Sequence, residues 1–275
     1  MMSWKGKKRS KIEVSIVMPV LNSEKFLAEA IESVLGQKFQ NWEFVVVEGR
    51  SKDNSLEILE KFAKQDKRLK IIKAKGKGVS HAANIGIKKA KGKFVVRMDA
   101  DDVCFRERIG KEIKFMKKHP EIGVVGSACV MIDEKGKELY VAKKPAEDKG
   151  IKKYMYFKCP FFHPTIMARR KLLLSVGGYD EKLKVGEDYD LWARLGRKTK
   201  FANIAEPLLY YRKHDENLSL RKFEEMRSVQ GKILNYMEKN YEIASWMKMQ
   251  KHIGIMLDKL VVNKIRKIIW KMPRV

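Results

Sequence analysis

The chain has 275 residues, 60 Lys and Arg against 34 Asp and Glu, a formal net charge of +26 and 44% hydrophobic residues. That length and apolar content exclude a disordered tail and a disulfide-stapled miniprotein, and predict one large domain with or without an appendage. The positive excess leaves three partner classes: nucleic acid, an anionic membrane face and a phosphate-bearing small molecule.

Cys104, Cys129 and Cys159 lack paired C-x-x-C spacing, which predicts a reducing compartment and buried structural thiols rather than a redox or metal centre. The basic start MMSWKGKKRSK runs into VSIVMPV, a strand-like segment with a proline, so no signal peptide is expected. No stretch reaches the roughly 18 uninterrupted apolar residues of a spanning helix. A cytoplasmic protein is the expectation. Residues 228–275 hold ten basic and three acidic residues, and residues 1–11 hold five basic and none acidic, so both ends are enriched in a charge spread over the whole chain.

Val14 to Val20 reads as a buried strand. Asn22 and Ser23 offer N-cap oxygens, and Leu27, Ala30, Ile31, Val34 and Leu35 form one apolar helical face ended by Gly36. Phe44 to Val47 predicts a second strand, followed by the polar turn EGRSKDNS and a helix with Leu56, Leu59, Phe62 and Ala63 on one side. Leu69 to Ile72 predicts a third strand, and a helix through Ala82 to Ala90 follows the loop KAKGKGVS. Phe94 to Met98, the fourth strand, runs directly into Asp99-Ala100-Asp101-Asp102. This alternation predicts an α/β fold, a mostly parallel sheet flanked by helices, with ligands outside the carboxyl ends of the strands. Further on, Ile109, Ile113 and Met116 predict a helix and Ile122 to Ser127 a strand, while Met131 to Pro160 carries no clear pattern. Past about Ser228 large apolar and basic residues mix in a helical pattern. A boundary near Asn217 divides a catalytic domain, 12–217, from a basic amphipathic helical extension, 218–275.

The aspartates at the end of the fourth strand carry the sharpest signal. Carboxylates so closely spaced repel one another, whereas with a divalent cation they coordinate it and, through it, a diphosphate. A plain helix N-cap is the other reading, and Asp102 alone satisfies it. Pro19 to Ser23 and Glu48 to Asp53 reach the same sheet edge, which together makes a nucleotide cleft. As ordinary turns and caps each loop is explained equally well singly.

VSIVMPVLNSEKFLAEAIESVLGQ, EGRSKDNS, GVSHAANIGIKKAKGKFVVRMDADD, FFHPTIMARR, GGYDE and GEDYDLWARL, in that order over about residues 13–215, resemble the family 2 inverting glycosyltransferases of GT-A fold. The resemblance implies transfer of a sugar from a nucleotide-diphosphate sugar, bound across the first-half sheet, to a glycan or lipid-linked acceptor bound by the second half. It implies Mg²⁺ or Mn²⁺ as cofactor. Pro19, Val20 and Asn22 would line the donor site, with Glu48 and Asp53 at acidic positions of its second loop and Asp99 and Asp101 as the D-x-D. Asp101, Asp102 and His214 would face the metal, Asp102 most directly. Asp188 matches the general base, with Glu187 and His163 on the acceptor side. An inverting transfer needs one such base to take the acceptor hydroxyl proton while the metal stabilises the leaving diphosphate. Read without the resemblance, Glu187 and Asp188 are acids at a helix start, His163 shapes a loop, and His214 is a surface histidine.

Two departures stand out. Glu48-Gly49-Arg50-Ser51 replaces the Asp-Asp-Gly-Ser of many relatives, removing the aspartate associated with uracil recognition. Ala83 stands where many carry a basic residue before Asn84, leaving Lys75, Lys77 or Arg97 to compensate. In the tail, Ile255, Leu257, Leu260, Val261, Ile265, Ile268, Ile269 and Trp270 interleave with Lys259, Lys264, Arg266, Lys267 and Lys271. That pattern predicts peripheral attachment to the anionic inner face of the membrane; packing on the protein or on a second subunit explains it as well. Two rival functions remain: a nucleotidyltransferase, whose Gly- and basic-rich N-terminal loop MPVLNSEKF is not, and a nucleic-acid-binding protein, for which no helix-turn-helix, zinc-finger or RRM pattern is present. No nucleic-acid partner is expected.

Overall fold

The computed structural model describes residues 12–75, 78–214 and 223–249. Its first half is the expected alternation. Strands β1 (Val14–Val20), β2 (Trp42–Glu48), β3 (Leu69–Lys73) and β4 (Phe94–Arg97) alternate with helices α1 (Glu24–Leu35), α2 (Ser55–Gln65) and α3 (Val79–Lys89). β1 pairs in parallel with β2 on one side and β4 on the other, and β2 pairs in parallel with β3. The chain therefore reverses its direction of travel across the sheet between β1 and β4, and the crevice at their carboxyl ends is where such sheets bind ligands.

Helix α1 buries Leu27, Ala30, Ile31 and Val34 against β1 and β2, the stripe its spacing predicts. Helix α3 approaches β1 so closely that a Cβ on Gly86 would stand 2.3 Å from Val17 Cγ1; only glycine permits that distance.

The second half differs from the expected parallel pattern. β5 (Val103–Cys104) and helix α4 (Arg108–Lys118) lead into β6, which runs from Ile122 to Ile132 with every residue buried, well past the Ser127 that the sequence suggested. β7 (Glu138–Ala142), helix α5 (Asp148–Met155), a 3-10 turn (His163–Thr165), β8 (Met167–Arg169), helices α6 (Arg170–Ser175) and α7 (Glu187–Leu195) and β9 (Lys200–Arg212) follow. β8 pairs antiparallel with both β4 and β6, β9 runs parallel to β6, and β5 is antiparallel to β9. One sheet results, in the order β3-β2-β1-β4-β8-β6-β9-β5, with β7 hairpinned onto β6. Pairing of β5 with β9 brings Asp101 and Asp102 beside the end of β9.

Helix α8 spans Phe223–Asn240. The chain divides into two compact units, Met1–Ile233 and Leu234–Val275. The boundary expected near Asn217, Lys77, residues 215–222 and the tail motif from Ile255 to Lys271 lie outside the described residues. Among the described residues no helix is long and apolar enough to cross a membrane.

Candidate active site

Three loops and the ends of two late elements build the site. The first two loops are joined through reciprocal caps. Asp53 accepts the Glu24 N–H at 3.0 Å and the Ser55 N–H at 3.0 Å. Glu24 returns a carboxylate oxygen to the Asn54 N–H at 2.9 Å and to the Asn54 side chain at 2.8 Å. Each acid thus serves the start of the other helix, a cross-chain version of the capping box. Asn22 and Ser51 add two more links: the Asn22 side chain accepts from Lys52 N–H at 2.8 Å, and its own N–H donates to the Ser51 hydroxyl at 3.0 Å. Glu48, buried, accepts from Ser51 N–H at 2.5 Å. Asn22 and Arg50 both hold a positive φ, 50° and 65°, a conformation that costs a residue with a Cβ roughly 1–2 kcal/mol. Pro19 and Val20 end β1 beside this loop, and the Val20 carbonyl accepts the Gly49 N–H at 2.8 Å. The carboxylates of Glu48 and Asp53 therefore shape the loops, while exposed Asn22 and Arg50 form their rim.

The third loop holds the aspartates, and each has a different environment. Asp99, the most exposed of the three, is bound at 2.5 Å by Arg97, whose guanidinium is buried beneath it. Asp101 Oδ2 pairs with His214 Nε2 at 2.8 Å. Asp102 is 2% exposed, and its Oδ1 accepts the Arg212 N–H at 2.9 Å. Burial and the neighbouring Asp99 carboxylate raise the Asp101 carboxyl above its usual range. Stronger burial, with Asp101 and Asp99 close by, raises Asp102 well above it. Arg212 ties this corner together: its Nε donates to the Asp101 carbonyl at 2.9 Å, its Nη2 pairs with Glu29 at 2.6 Å, and its guanidinium lies over the Phe26 ring at 4.7 Å.

Across the cleft, Gly186 with φ 69° starts α7, placing Glu187 and Asp188 in its first turn. Asp188 Oδ1 accepts the Tyr189 N–H at 2.7 Å and Oδ2 faces Cys159 Sγ at 3.2 Å. Burial and the adjoining Asp188 push the Glu187 carboxyl up to about 7. His163 Nε2 pairs with the Tyr179 hydroxyl at 2.7 Å, and burial together with Arg97 holds its imidazole below the usual range, neutral at pH 7. Tyr179 is anchored in turn, its N–H donating to Asn84 at 2.8 Å.

The two acidic groups share electrostatic neighbours. The Tyr211 phenol interacts with Asp102, Asp99, Asp101 and Asp188 alike, and Glu187 feels both Asp188 and Asp99. The structure thus brings Asp99, Asp101, Asp102, Glu187, Asp188, His163 and His214 together, and sets Glu48 and Asp53 in the scaffold of the adjoining loops. Sequence reasoning missed Cys159, grouped with inert thiols, and Tyr211 and Arg212, which lie in a β9 that was not recognised as a strand. Lys75 is exposed, and Arg97 is engaged with Asp99 rather than free for a phosphate.

The donor set suits a hard divalent cation. Asp101 supplies a carboxylate oxygen and His214 an imidazole nitrogen 2.8 Å apart, both accepted by Mn²⁺, and the cost of burying Asp101 charged would fall with a cation beside it. Among the described residues no group of three or more His, Cys, Asp or Glu side chains is arranged to hold a metal unaided, so further coordination would come from a bound anion or water.

Residues 15–177 match the family described as glycosyl transferase family 2. The O-antigen biosynthesis glycosyltransferase WbnJ of Escherichia coli is 30% identical over 208 residues, covering 74% of this chain and 81% of that protein. Among solved structures, S. aureus TarS 1-349 in complex with UDP-GlcNAc superposes with a TM-score of 0.65 at 21% identity, covering 81% of this chain and 70% of that one. The mannosyltransferase PcManGT from Pyrobaculum calidifontis, in complex with GDP-Man and Mn²⁺, gives 0.60 at 15%, covering 91% and 81%. The architecture is accordingly the GT-A fold, and with the family match covering more than half of its length the chain belongs to glycosyl transferase family 2.

Proposed function

We propose that this glycosyltransferase moves a sugar, with inversion, from a nucleotide-diphosphate sugar to a glycan or lipid-linked acceptor in cell-envelope polysaccharide or glycoconjugate synthesis. The observation that carries the reading is the convergence of Asp188 with the aspartates of the β4 loop around Tyr211. WbnJ, by its name an O-antigen biosynthesis enzyme, supports the acceptor class.

Asp188 is the general base. Its carboxylate takes the proton of the acceptor hydroxyl as that oxygen bonds to the anomeric carbon, and the bond from that carbon to the diphosphate oxygen breaks on the opposite face. One displacement inverts the centre. Asp101 and His214 would hold the cation, with Asp102 behind them offering only the oxygen not taken by the Arg212 amide. When bound, Mg²⁺ or Mn²⁺ neutralises charge on the departing diphosphate. Asp99, fixed by Arg97, and the rim formed by Pro19, Val20, Asn22 and Arg50 position the donor; Glu48 and Asp53 do so by holding that rim. Glu187 and His163 line the acceptor side, where His163, neutral and held by Tyr179, offers a hydrogen bond without adding charge.

Asp188→Asn is expected to lower turnover by at least about 10³-fold while leaving Mn²⁺-dependent stabilisation by UDP-GlcNAc or GDP-mannose in place. Those two donors, screened by thermal shift with MnCl₂, also report the preferred base, since a bound ligand stabilises in proportion to its occupancy. Turnover by the Asn variant near the parent rate would remove Asp188 as base.

A further inference from the structure

The loop between α5 and the 3-10 turn carries a thiol that the proposed chemistry does not use. Cys159 Sγ lies 3.2 Å from Asp188 Oδ2, whereas its other acceptor, the Phe161 carbonyl, is 3.6 Å away. The loop is pinned both from α7 and from elements outside it. Lys144 Nζ donates to the Cys159 carbonyl at 3.2 Å and lies over the rings of Tyr154 and Phe162, and Phe161 packs edge-on against Trp192 and Phe201. Among the described side chains, only Cys159 stands at hydrogen-bond distance from Asp188. The other titratable or charged groups that interact with it are Glu187 and Tyr189 on its own helix, His163 from the 3-10 turn, Tyr179 from the preceding loop and Tyr211 from β9. Arg97, from β4, interacts in turn with Glu187, His163 and Tyr179.

We propose that Cys159 is a positioning residue for Asp188, its S–H holding Oδ2 in one orientation so that the carboxylate meets the acceptor hydroxyl correctly aimed. This rests on the reading of Asp188 as the base. Burial, and then the carboxylate itself, push the thiol well above its usual range, so it stays protonated and acts as donor. A thiol suits the task. A guanidinium or ammonium at the same place would fix the oxygen more firmly but would also drain its basicity, whereas S–H is a weak donor that orients at little cost in proton affinity.

The experiment uses the full chain. Release of UDP from UDP-GlcNAc or GDP from GDP-mannose, whichever donor stabilises the protein, is followed from pH 5.5 to 8.5, and alkylation of Cys159 by iodoacetamide is followed by mass spectrometry at pH 8.5. Cys159→Ala, and Cys159→Val as the variant nearer in shape, are expected to lower kcat by about 3–10-fold with donor KM unchanged, and to move the acid limb of kcat/KM upward by about half a unit. Cys159→Ser restores kcat to within about twofold because it keeps a donor. Asp188→Asn, by removing the negative charge beside the thiol, accelerates Cys159 alkylation several-fold, a readout that needs no turnover. An unmoved acid limb in Cys159→Ala and Cys159→Val, or an unchanged alkylation rate in Asp188→Asn, overturns the inference. If Asp188→Asn is inactive in that case, the base assignment stands alone; if Asp188→Asn turns over normally, both fall.

Discussion

Glu187 illustrates how much a single position in this cleft is governed by its neighbours. Burial and the Asp188 charge hold its carboxyl at about 7, above the ordinary carboxylate range, so the folded state binds this proton more tightly than the unfolded chain. The stability it contributes is complete at acid pH and is lost as pH rises through about 7. After screening for its partial exposure, the loss should be on the order of 1–2 kcal/mol. The midpoint of thermal unfolding should therefore decline between pH 5 and 7.5, and Glu187→Gln should flatten that decline; parallel curves for the two proteins would refute the effect. Asp101 behaves alike, raised by burial and by Asp99, and a cation beside it relieves the same cost. Mn²⁺ should stabilise the parent protein and shift Asp101→Asn and His214→Ala much less, which differential scanning with and without EDTA reads directly. Arg97 is a buried cation paired with Asp99 in this acidic group. Its removal in Arg97→Met leaves Asp99 without its 2.5 Å partner and should weaken donor binding even where the fold survives.

At the scale of elements, the GGYDE turn is held to α3 by contacts with almost no slack. Gly178 has φ 73°, and a Cβ there would lie 2.3 Å from the Asn84 oxygen that accepts the Tyr179 N–H. Gly178→Ala should cost about 2 kcal/mol or more and should lower activity through Tyr179 and His163; an unfolding midpoint within 1 °C of the parent, with full activity, would contradict this. The first seven elements were legible because each has a clean period. β1 and β2 read as continuous apolar runs, as parallel strands buried on both faces do, and α1 and α2 carry a single apolar stripe. Of the later strands, only the first part of β6, Ile122 to Ser127, gave such a signal. β7 is exposed along nearly its whole length, with Leu139, Tyr140 and Val141 each about half exposed, so neither face marks it. β9 has Glu206 and Pro207 at its middle and shifts register against β6 there, which breaks the alternation that would have identified it. The site followed the same division. Asp99, Asp101, Asp102 and Asp188 were legible as acids at element ends, whereas two partners that set their properties, Cys159 and Arg212, arrive from segments 29 and 111 residues away.

For the whole molecule, the net charge of +26 surrounds a cleft whose own side chains are acidic. A positive field of this kind draws in a diphosphate and is screened over roughly 8–10 Å at physiological salt. Donor KM should accordingly rise several-fold between 50 and 300 mM NaCl with kcat nearly constant. The basic excess of residues 228–275 extends the proposal to peripheral attachment at the inner membrane face: the full chain should pellet with phosphatidylserine vesicles and not with phosphatidylcholine vesicles, and equal recovery with both would end that idea. The crossed caps of Asp53 and Glu24 bear on how such an enzyme can be re-engineered. Because α1 and α2 each begin on an acid supplied by the other's segment, the two donor loops are one module split by 30 residues of sequence. Grafting the Glu48–Asp53 turn of a relative alone would orphan both helix starts, so a change of nucleotide preference has to exchange residues 20–24 with it as a two-part cassette.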